Sequence, residues 1–252
     1  RLKLFDRAKG RLITTPEADV LFREVETVVR GLDHVSQAVT DLQNKEAGQL
    51  TVASPHNLSF GFMPDVIARF AATRPDLSVS FQAQYSSKIQ EWVAAGLFEI
   101  GVCETPVTLN DLDARRYQFE TQCVLPVGHP MADEAELTPT MLSGHPFVVM
   151  GPEHMTLHRT QEAFRAEGAD LRPKVHTHLF ENKLSFVKRG MGAALLDPFT
   201  LAFDREGGYV ARPFRPAVTI DMAIITARDR PLSALGREFL RLLETDFAAY
   251  AV

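Results

Sequence analysis

GQLTVASPHNLSFGFMPDVIARFAATRPDLSVSF, residues 48–81, is the stretch that decides the fold. Leu50–Ala53 is a short apolar run that reads as a strand, and Ser54–Asn57, which includes Pro55, reads as a turn. Ser59–Thr73 is a helix that Arg74-Pro75-Asp76 ends. From Leu77 to Ala83 the period falls to two, with Leu77, Val79 and Phe81 on one face. Strand, turn, helix and strand in this order make an α/β unit.

The pattern continues outward and then recurs. Ser86 and Ser87 open a helix that carries Ile89, Trp92 and Val93 and closes at Gly96; Glu99–Cys103 is a third strand. Farther on, Phe147–Met150 is a strand, Gly151–Thr156 a turn and Leu157–Glu167 a helix ended by Gly168. Lys174–His178 is the next strand, Glu181–Arg189 a helix stopped by Gly190, and Ala193–Leu196 a strand before Asp197-Pro198. This repeat of architecture, not of sequence, implies two similar α/β lobes. Gln122–Val127 and Met222–Ala227 are the expected crossovers between them, and Leu232–Ala249 is a final helix returning to the first lobe. Two lobes joined by two strands form a hinge with a cleft between.

Upstream the period changes again. Leu21, Val25, Val28, Leu32, Val35, Val39 and Leu42 step by alternating fours and threes, the seam of a coiled coil. Phe22 and Val29 widen the stripe, which points to a further packing partner, and an ordinary amphipathic helix on a globular core is the plainer reading. Thr15 caps this helix, Pro16 stands at its first position, and Glu17 and Asp19 fill its first turn. Before it, a turn at Lys9-Gly10 between short apolar runs suggests the end of a helix and a hairpin-like wing. Arg1, Lys3, Arg7, Lys9 and Arg11 oppose only Asp6 there, a local excess of four positive charges.

The 252 residues are 45% hydrophobic and 23% charged, as in a soluble globular protein. A net charge of −5 excludes a general affinity of the whole chain for nucleic acid, so the basic tip is the surface suited to a polyanion. Cys103 and Cys123 form no CxxC pair and fit a reducing cytoplasm. No apolar run reaches the length of a membrane span. The chain starts at Arg1 rather than Met, so a preceding portion is expected.

Ligands of α/β sheets gather beyond the carboxyl ends of strands, where helix N-termini present free N–H groups. The corners that meet this description are Ser54, Ser86-Ser87, Met150-Gly151 with Thr156, and Phe180-Glu181-Asn182. Ser86 and Ser87 combine two hydroxyls with a helix start and suit a carboxylate, although capping alone explains one serine. Asp197 at a strand end suits an ammonium or guanidinium group, or a structural role before Pro198; Phe180 suits a ligand lid or plain core. His154 with His158, and His176 with His178, have metal-ligand spacing, but no cysteine accompanies them and nothing brings the pairs together, so no metal is expected. Gly190-Met191-Gly192 sits at a helix end and lacks a third glycine, which rejects a nucleotide fingerprint. Glu153 and Glu181 have simpler roles as helix N-terminal charges than as an acid/base pair, and no GxSxG elbow is present. No catalytic residue, cofactor or enzymatic activity is indicated.

RLKLFDRAKGRLITTPEADVLF resembles the wing and linker helix of the LysR-type transcriptional regulators. GQLTVASPHNLSFGFMPDVIARFAATRPDLSVSF, LFEIGVCETP, LPVGHPM and VKRGMGAALLDP resemble, in order, that family's effector domain of the periplasmic-binding-protein type. The chain departs from the family in that the recognition helix, which should precede Arg1, is absent. The resemblance implies a cytoplasmic regulator of double-stranded DNA, a homodimer or homotetramer, with a small effector in the cleft. The Ser86-Ser87 pair, the Phe180–Asn182 corner and the LLDP ending resemble opine-responsive members, which implies an amino acid or derivative as effector, its carboxylate at Ser86-Ser87 and its cationic group at Asp197.

The expected organisation is a wing at 1–15, a linker and dimerisation helix at 16–46 and an effector-binding domain at 47–252. Within that domain lobe I takes 47–121 and 225–252, and lobe II takes 122–224. Arg7, Lys9 and Arg11 are the expected DNA contacts, and Ser54, Ser86, Ser87, Met150, Gly151, Phe180, Asn182 and Asp197 the expected effector contacts. The competing function is a periplasmic-type solute-binding protein for amino acids.

Overall fold

The computed structural model describes residues 4–8, 11–15, 17–18, 21 and 48–252, and the chain divides into two units, Arg1–Gly48 and Gln49–Val252. In the first, β1 (Phe5–Ala8) and β2 (Arg11–Thr14) form an antiparallel hairpin with Phe5 opposite Thr14 and Arg7 opposite Leu12. The Thr15 N–H donates to the Leu4 carbonyl (3.1 Å), and the Ala18 N–H donates to Thr15 Oγ1 (3.2 Å), so Thr15 both closes the hairpin and caps the helical turn at Glu17 and Ala18. Leu21 is helical and exposed. Lys9 and the seam positions Val25, Val28, Leu32, Val35, Val39 and Leu42 lie outside the described residues.

The second unit holds a five-stranded sheet, a three-stranded sheet and a two-stranded pair. In the first, the order is β4 (Ser78–Ala83), β3 (Gln49–Ser54), β5 (Ile100–Glu104), β12 (Thr219–Ala227) and β6 (Leu112–Glu120). β3 runs parallel to β4 and β5, while β12 is antiparallel to β5 and β6. In the second, β7 (Gln122–Pro126) lies between β10 (Ala194–Leu196) and β11 (Tyr209–Pro213), all antiparallel. β8 (Pro146–Met150) and β9 (Arg172–Thr177) form a parallel pair, and a bridge from Phe147 to Ala193 carries this pair onto the run entering β10. A Cβ at Gly192 would stand 2.3 Å from the Pro146 carbonyl oxygen, so only glycine lets these two runs approach.

The helices are α1 (His56–Ser59), α2 (Phe62–Ala71), α3 (Ser86–Ala94), α4 (Met155–Ala166), α5 (Phe180–Lys188), α6 (Pro198–Phe203) and α7 (Ala234–Ala248). The helix expected over Ser59–Thr73 starts later, as α2 at Phe62, and the expected turn at Ser54–Asn57 leads into the short α1, with a break at Phe60-Gly61. A Cβ at Gly61 would lie 2.2 Å from Phe203 Cβ, so the break is where α6 presses against the chain. α2 buries Phe62, Met63, Val66 and Phe70 at helical spacing, an apolar face of the expected kind.

The chain crosses between sheets at Thr121 and returns at Val218. The two crossings are tied to each other: the Thr121 N–H (2.9 Å) and Oγ1–H (2.8 Å) both donate to the Val218 carbonyl. β7 therefore lies wholly in the second sheet and β12 wholly in the first. The expected crossover Met222–Ala227 and the lobe boundary at residue 224 both fall inside β12, which pairs with β6 without a break from Thr219 to Ala227. The second lobe is residues 122–218.

One excursion breaks this division of labour. α6 leaves the second sheet after β10 and inserts Phe199 among aromatic residues of the first lobe. The Phe199 ring centroid lies 4.9 Å from Phe62, 4.9 Å from Phe119 and 5.2 Å from Phe247. All four are buried. Apolar contact of this density holds the lobes together on that side.

Candidate functional site

The cleft between the lobes opens into a cavity of about 490 Å³. Its walls are the residues that come after parallel strands: Pro55–Asn57 after β3, Gln84–Ser87 after β4, Glu104–Pro106 at the end of β5, Met150 and Glu153–Met155 after β8, and His178–Phe180 after β9. This is where an open α/β sheet places its ligands. Gln90 on α3 fixes the loop that forms one wall. Its Nε2 donates to the Pro106 carbonyl (3.0 Å), and its Oε1 accepts from the Thr108 N–H (2.8 Å).

Two helices of nine residues, α3 and α5, start at the cavity with no side chain capping either one. Their first-turn N–H groups make that region favourable for negative charge. Two acidic groups, Glu104 and Glu153, also line the cavity. Glu104 Oε1 lies 3.3 Å from His154 Nε2, a contact from the first lobe to the second. His154 Nδ1 accepts from the Thr156 N–H (3.2 Å), which leaves Nε2 as the nitrogen that donates toward Glu104. Glu153 Oε1 lies 3.0 Å from His178 Nδ1 in a more exposed pair. The His154 ring meets the edge of Phe180 at 5.6 Å, and His56 meets Tyr85 at 5.4 Å. Anion-seeking N–H groups and carboxylates therefore share one cavity.

The structure places four of the expected contacts in this wall: Ser86, Ser87, Met150 and Phe180. Ser86 Oγ accepts from the Glu104 N–H (2.9 Å), which joins α3 to β5; Ser87 is exposed to the cavity. Tyr85, not Ser86, is the N-cap of α3. Gly151 lies behind the Glu153–His178 pair, where a Cβ would stand 2.6 Å from Glu153 Oε1. Ser54 is fully buried, and its hydroxyl donates to the Pro55 carbonyl (3.1 Å).

Two further expected contacts, Asn182 and Asp197, lie outside this wall. Asn182 is exposed and lines no described cavity, because the inward stripe of α5 is Phe180, Lys183, Leu184 and Val187. Asp197 is 1% exposed and is the N-cap of α6: its Oδ1 accepts from the Thr200 N–H (2.9 Å) and its Oδ2 from the Thr200 hydroxyl (2.6 Å). Its other neighbour is Lys183, buried beneath Phe180 with Nζ donating to the Leu195 carbonyl. Burial pushes the lysine down to about 7 against the pull of Asp197. Burial likewise raises the Asp197 carboxyl, while Thr200 and Lys183 draw it back. This carboxylate is committed to the protein. The wall also contains residues that the sequence pattern does not single out as contacts, chief among them His56, Asn57, Gln84, Tyr85, Gln90, Glu104, Glu153, His154 and His178. Of the pairs with metal-ligand spacing, His154/His158 and His176/His178, the fold sends one member each to the cavity.

The thiols take no part. Cys103 and Cys123 are both buried and free; burial pushes Cys103 up to about 12 and also raises Cys123. No described helix is long and apolar enough to cross a membrane.

Two α/β lobes enclosing a cavity made of strand ends define a small-molecule-binding clamp. The chain belongs to the LysR family: residues 43–248 match the LysR substrate binding domain. It is 30% identical to the regulatory protein NocR of Agrobacterium fabrum over 94% of this chain and 80% of NocR. It is also 30% identical to the transcriptional activator LysR of Escherichia coli over 94% of this chain and 77% of LysR. Against the octopine catabolism/uptake operon regulatory protein OccR of Rhizobium meliloti it is 29% identical over 90% of this chain and 75% of OccR. The fold matches the C-terminal domain of a probable LysR-family regulator from Rhodococcus at a TM-score of 0.65, with 23% identity over 79% of this chain and 99% of that one. It matches the cofactor-binding domain of the Cbl regulator at 0.69, with 18% identity over 81% and 94%. The protein is a transcriptional regulator with an effector-binding domain.

Proposed function

We propose that the cavity senses an amino acid or amino-acid derivative. The observation that carries this reading is the pairing of opposite receptors in one space. The uncapped start of α3, with Ser86 and Ser87, suits a carboxylate, and Glu104 and Glu153 suit the cationic group that the sequence pattern assigns to Asp197. The relation to OccR supports the same class of ligand. The β1–β2 hairpin is the wing of a winged helix-turn-helix that carries Arg7, Lys9 and Arg11 to double-stranded DNA. Residues 16–46 join two copies, as a homodimer or within a homotetramer, in the cytoplasm.

A thermal-shift screen of amino acids and opines tests the effector. A ligand at a hundred times its dissociation constant stabilises the fold by about 2.7 kcal/mol. Ser87→Ala lowers affinity for an acidic hit by up to about tenfold, the scale of one hydrogen bond. A screen answered only by uncharged compounds rejects the reading. Charged substitutions at both Val28 and Val35 abolish dimers in sedimentation; unchanged assembly removes the dimerisation role from this segment.

A further inference from the structure

A second cavity, also of about 490 Å³, shares Asn57 with the first and is walled chiefly by Phe60 from the first lobe and by Glu181, Ser185 and Phe203 from the second. Its polar groups are unusual. Neither carboxylate oxygen of Glu181 meets water or finds a hydrogen-bond partner among the described residues. Asn57 is 6% exposed, and its Nδ2 is likewise closed off and unpartnered.

A buried carboxylate without donors costs free energy, which a structural role would recover through a neighbour. The nearby cations do not serve Glu181. Lys188 Nζ is held by Asp204 (2.5 Å) and Glu206 (3.1 Å), and Arg189 Nη1 donates to the carbonyl (2.9 Å) and hydroxyl (2.6 Å) of Ser185. Arg205 is exposed. Burial pushes the Glu181 carboxyl up to about 7, and nearby Asp197 adds to the rise; its own N–H opposes it. The group is thus poised to ionise near neutrality when a positive charge arrives.

We propose that this second cavity binds a small organic cation, a primary ammonium or guanidinium, with Glu181 as counter-charge and Asn57 as the second polar contact. Glu181 lines the cavity with its carboxylate oxygens turned out of the open space, and rotation about its χ angles brings them to the ligand. The Asn57 amide, turned over, offers its oxygen to the same group. Because Asn57 belongs to the first lobe and Glu181 to the second, a bound cation bridges the lobes in a cavity that adjoins the effector cavity at Asn57.

The probe is agmatine, which carries an amine and a guanidinium but no carboxylate, titrated calorimetrically into the full chain at about pH 8, where Glu181 is ionised. Wild type binds it. Glu181→Gln weakens binding by about tenfold or more, the scale of losing a charged hydrogen bond, while melting at the same temperature or higher. Equal affinity in wild type and Glu181→Gln overturns the proposal. Absence of binding by wild type, with a lower melting temperature in Glu181→Gln, shows instead a structural Asn57–Glu181 pair. The effector reading is judged separately, by acidic ligands and Ser87→Ala, so either can fail alone.

Discussion

The lobes meet through two sets of contacts of opposite character. One is dry: Phe199 packs on Phe62, Phe119 and Phe247 with ring centroids about 5 Å apart. The other is polar and partly wet. It includes Glu104 with His154, Arg215 with Glu120 (3.0 Å), and Arg159 with the Thr219 carbonyl (2.7 Å), the Thr219 hydroxyl (3.0 Å) and Asp221 (2.5 Å). Aromatic packing is indifferent to pH, whereas a partly exposed ion pair is not. The dry set holds the lobes together, and the polar set reaches the cavity, with Glu104 and His154 in its wall.

Breaking the dry set has the largest expected effect. Phe199→Ala destabilises the fold by about 3–5 kcal/mol, the range for deleting a buried aromatic ring, as measured by urea denaturation. Asp197→Ala comes next, at about 1–2 kcal/mol, because it removes the cap of the short helix that carries Phe199. The same variant leaves the preference between amino acids and simple carboxylic acids unchanged; a selective loss of cationic ligands would return Asp197 to the effector. Arg159→Ala costs about 1 kcal/mol, since its partners are partly solvated. Its clearer signature is pH. The Arg159 guanidinium holds the Asp221 carboxyl below its usual range, so this contribution is present above the ordinary carboxylate pKa and is lost as pH falls through the lowered value. The variant flattens the acid limb of the stability curve.

A dependence on pH distinguishes the second cavity. Glu181 titrates near 7 when folded and near about 4.3 when unfolded, so the folded chain keeps a proton that the unfolded chain gives up. Stability therefore falls as pH rises across that window, and Glu181→Gln makes the fall shallower. A wild type whose melting temperature is flat over the same window rejects the shift.

Where an element has a strong period and a clear stop, sequence and structure agree. β3, β4, α3, β8, α4 and α7 lie within three residues of their expected bounds. The omissions share a cause. β6 reads LDARRYQFE, and its middle is polar because it is an edge strand with Asp113 to Arg116 exposed. An edge strand turned to solvent carries no continuous apolar signal. α6 is six residues long, too short for periodicity, although Asp197-Pro198 with Thr200 two residues on is a readable cap. That cap outweighs the strand-end position that makes Asp197 look like a ligand. Asn182 is legible in the same way, since Phe180, Lys183, Leu184 and Val187 mark the inward stripe and exclude it. The contact between Glu104 and His154 is not legible, because it depends on how the lobes pack, which no local pattern encodes.

The double tie between Thr121 and Val218 has a mechanical consequence. Two strands that crossed between the lobes at separate points would permit shear, twist and opening alike. Bound to one carbonyl, they behave as a single pivot. Displacement then grows with distance from that pivot, so a rotation of a few degrees that barely moves the cavity floor becomes ångströms at the far ends of the lobes. Any rotation between the lobes would have its fulcrum at this one residue pair.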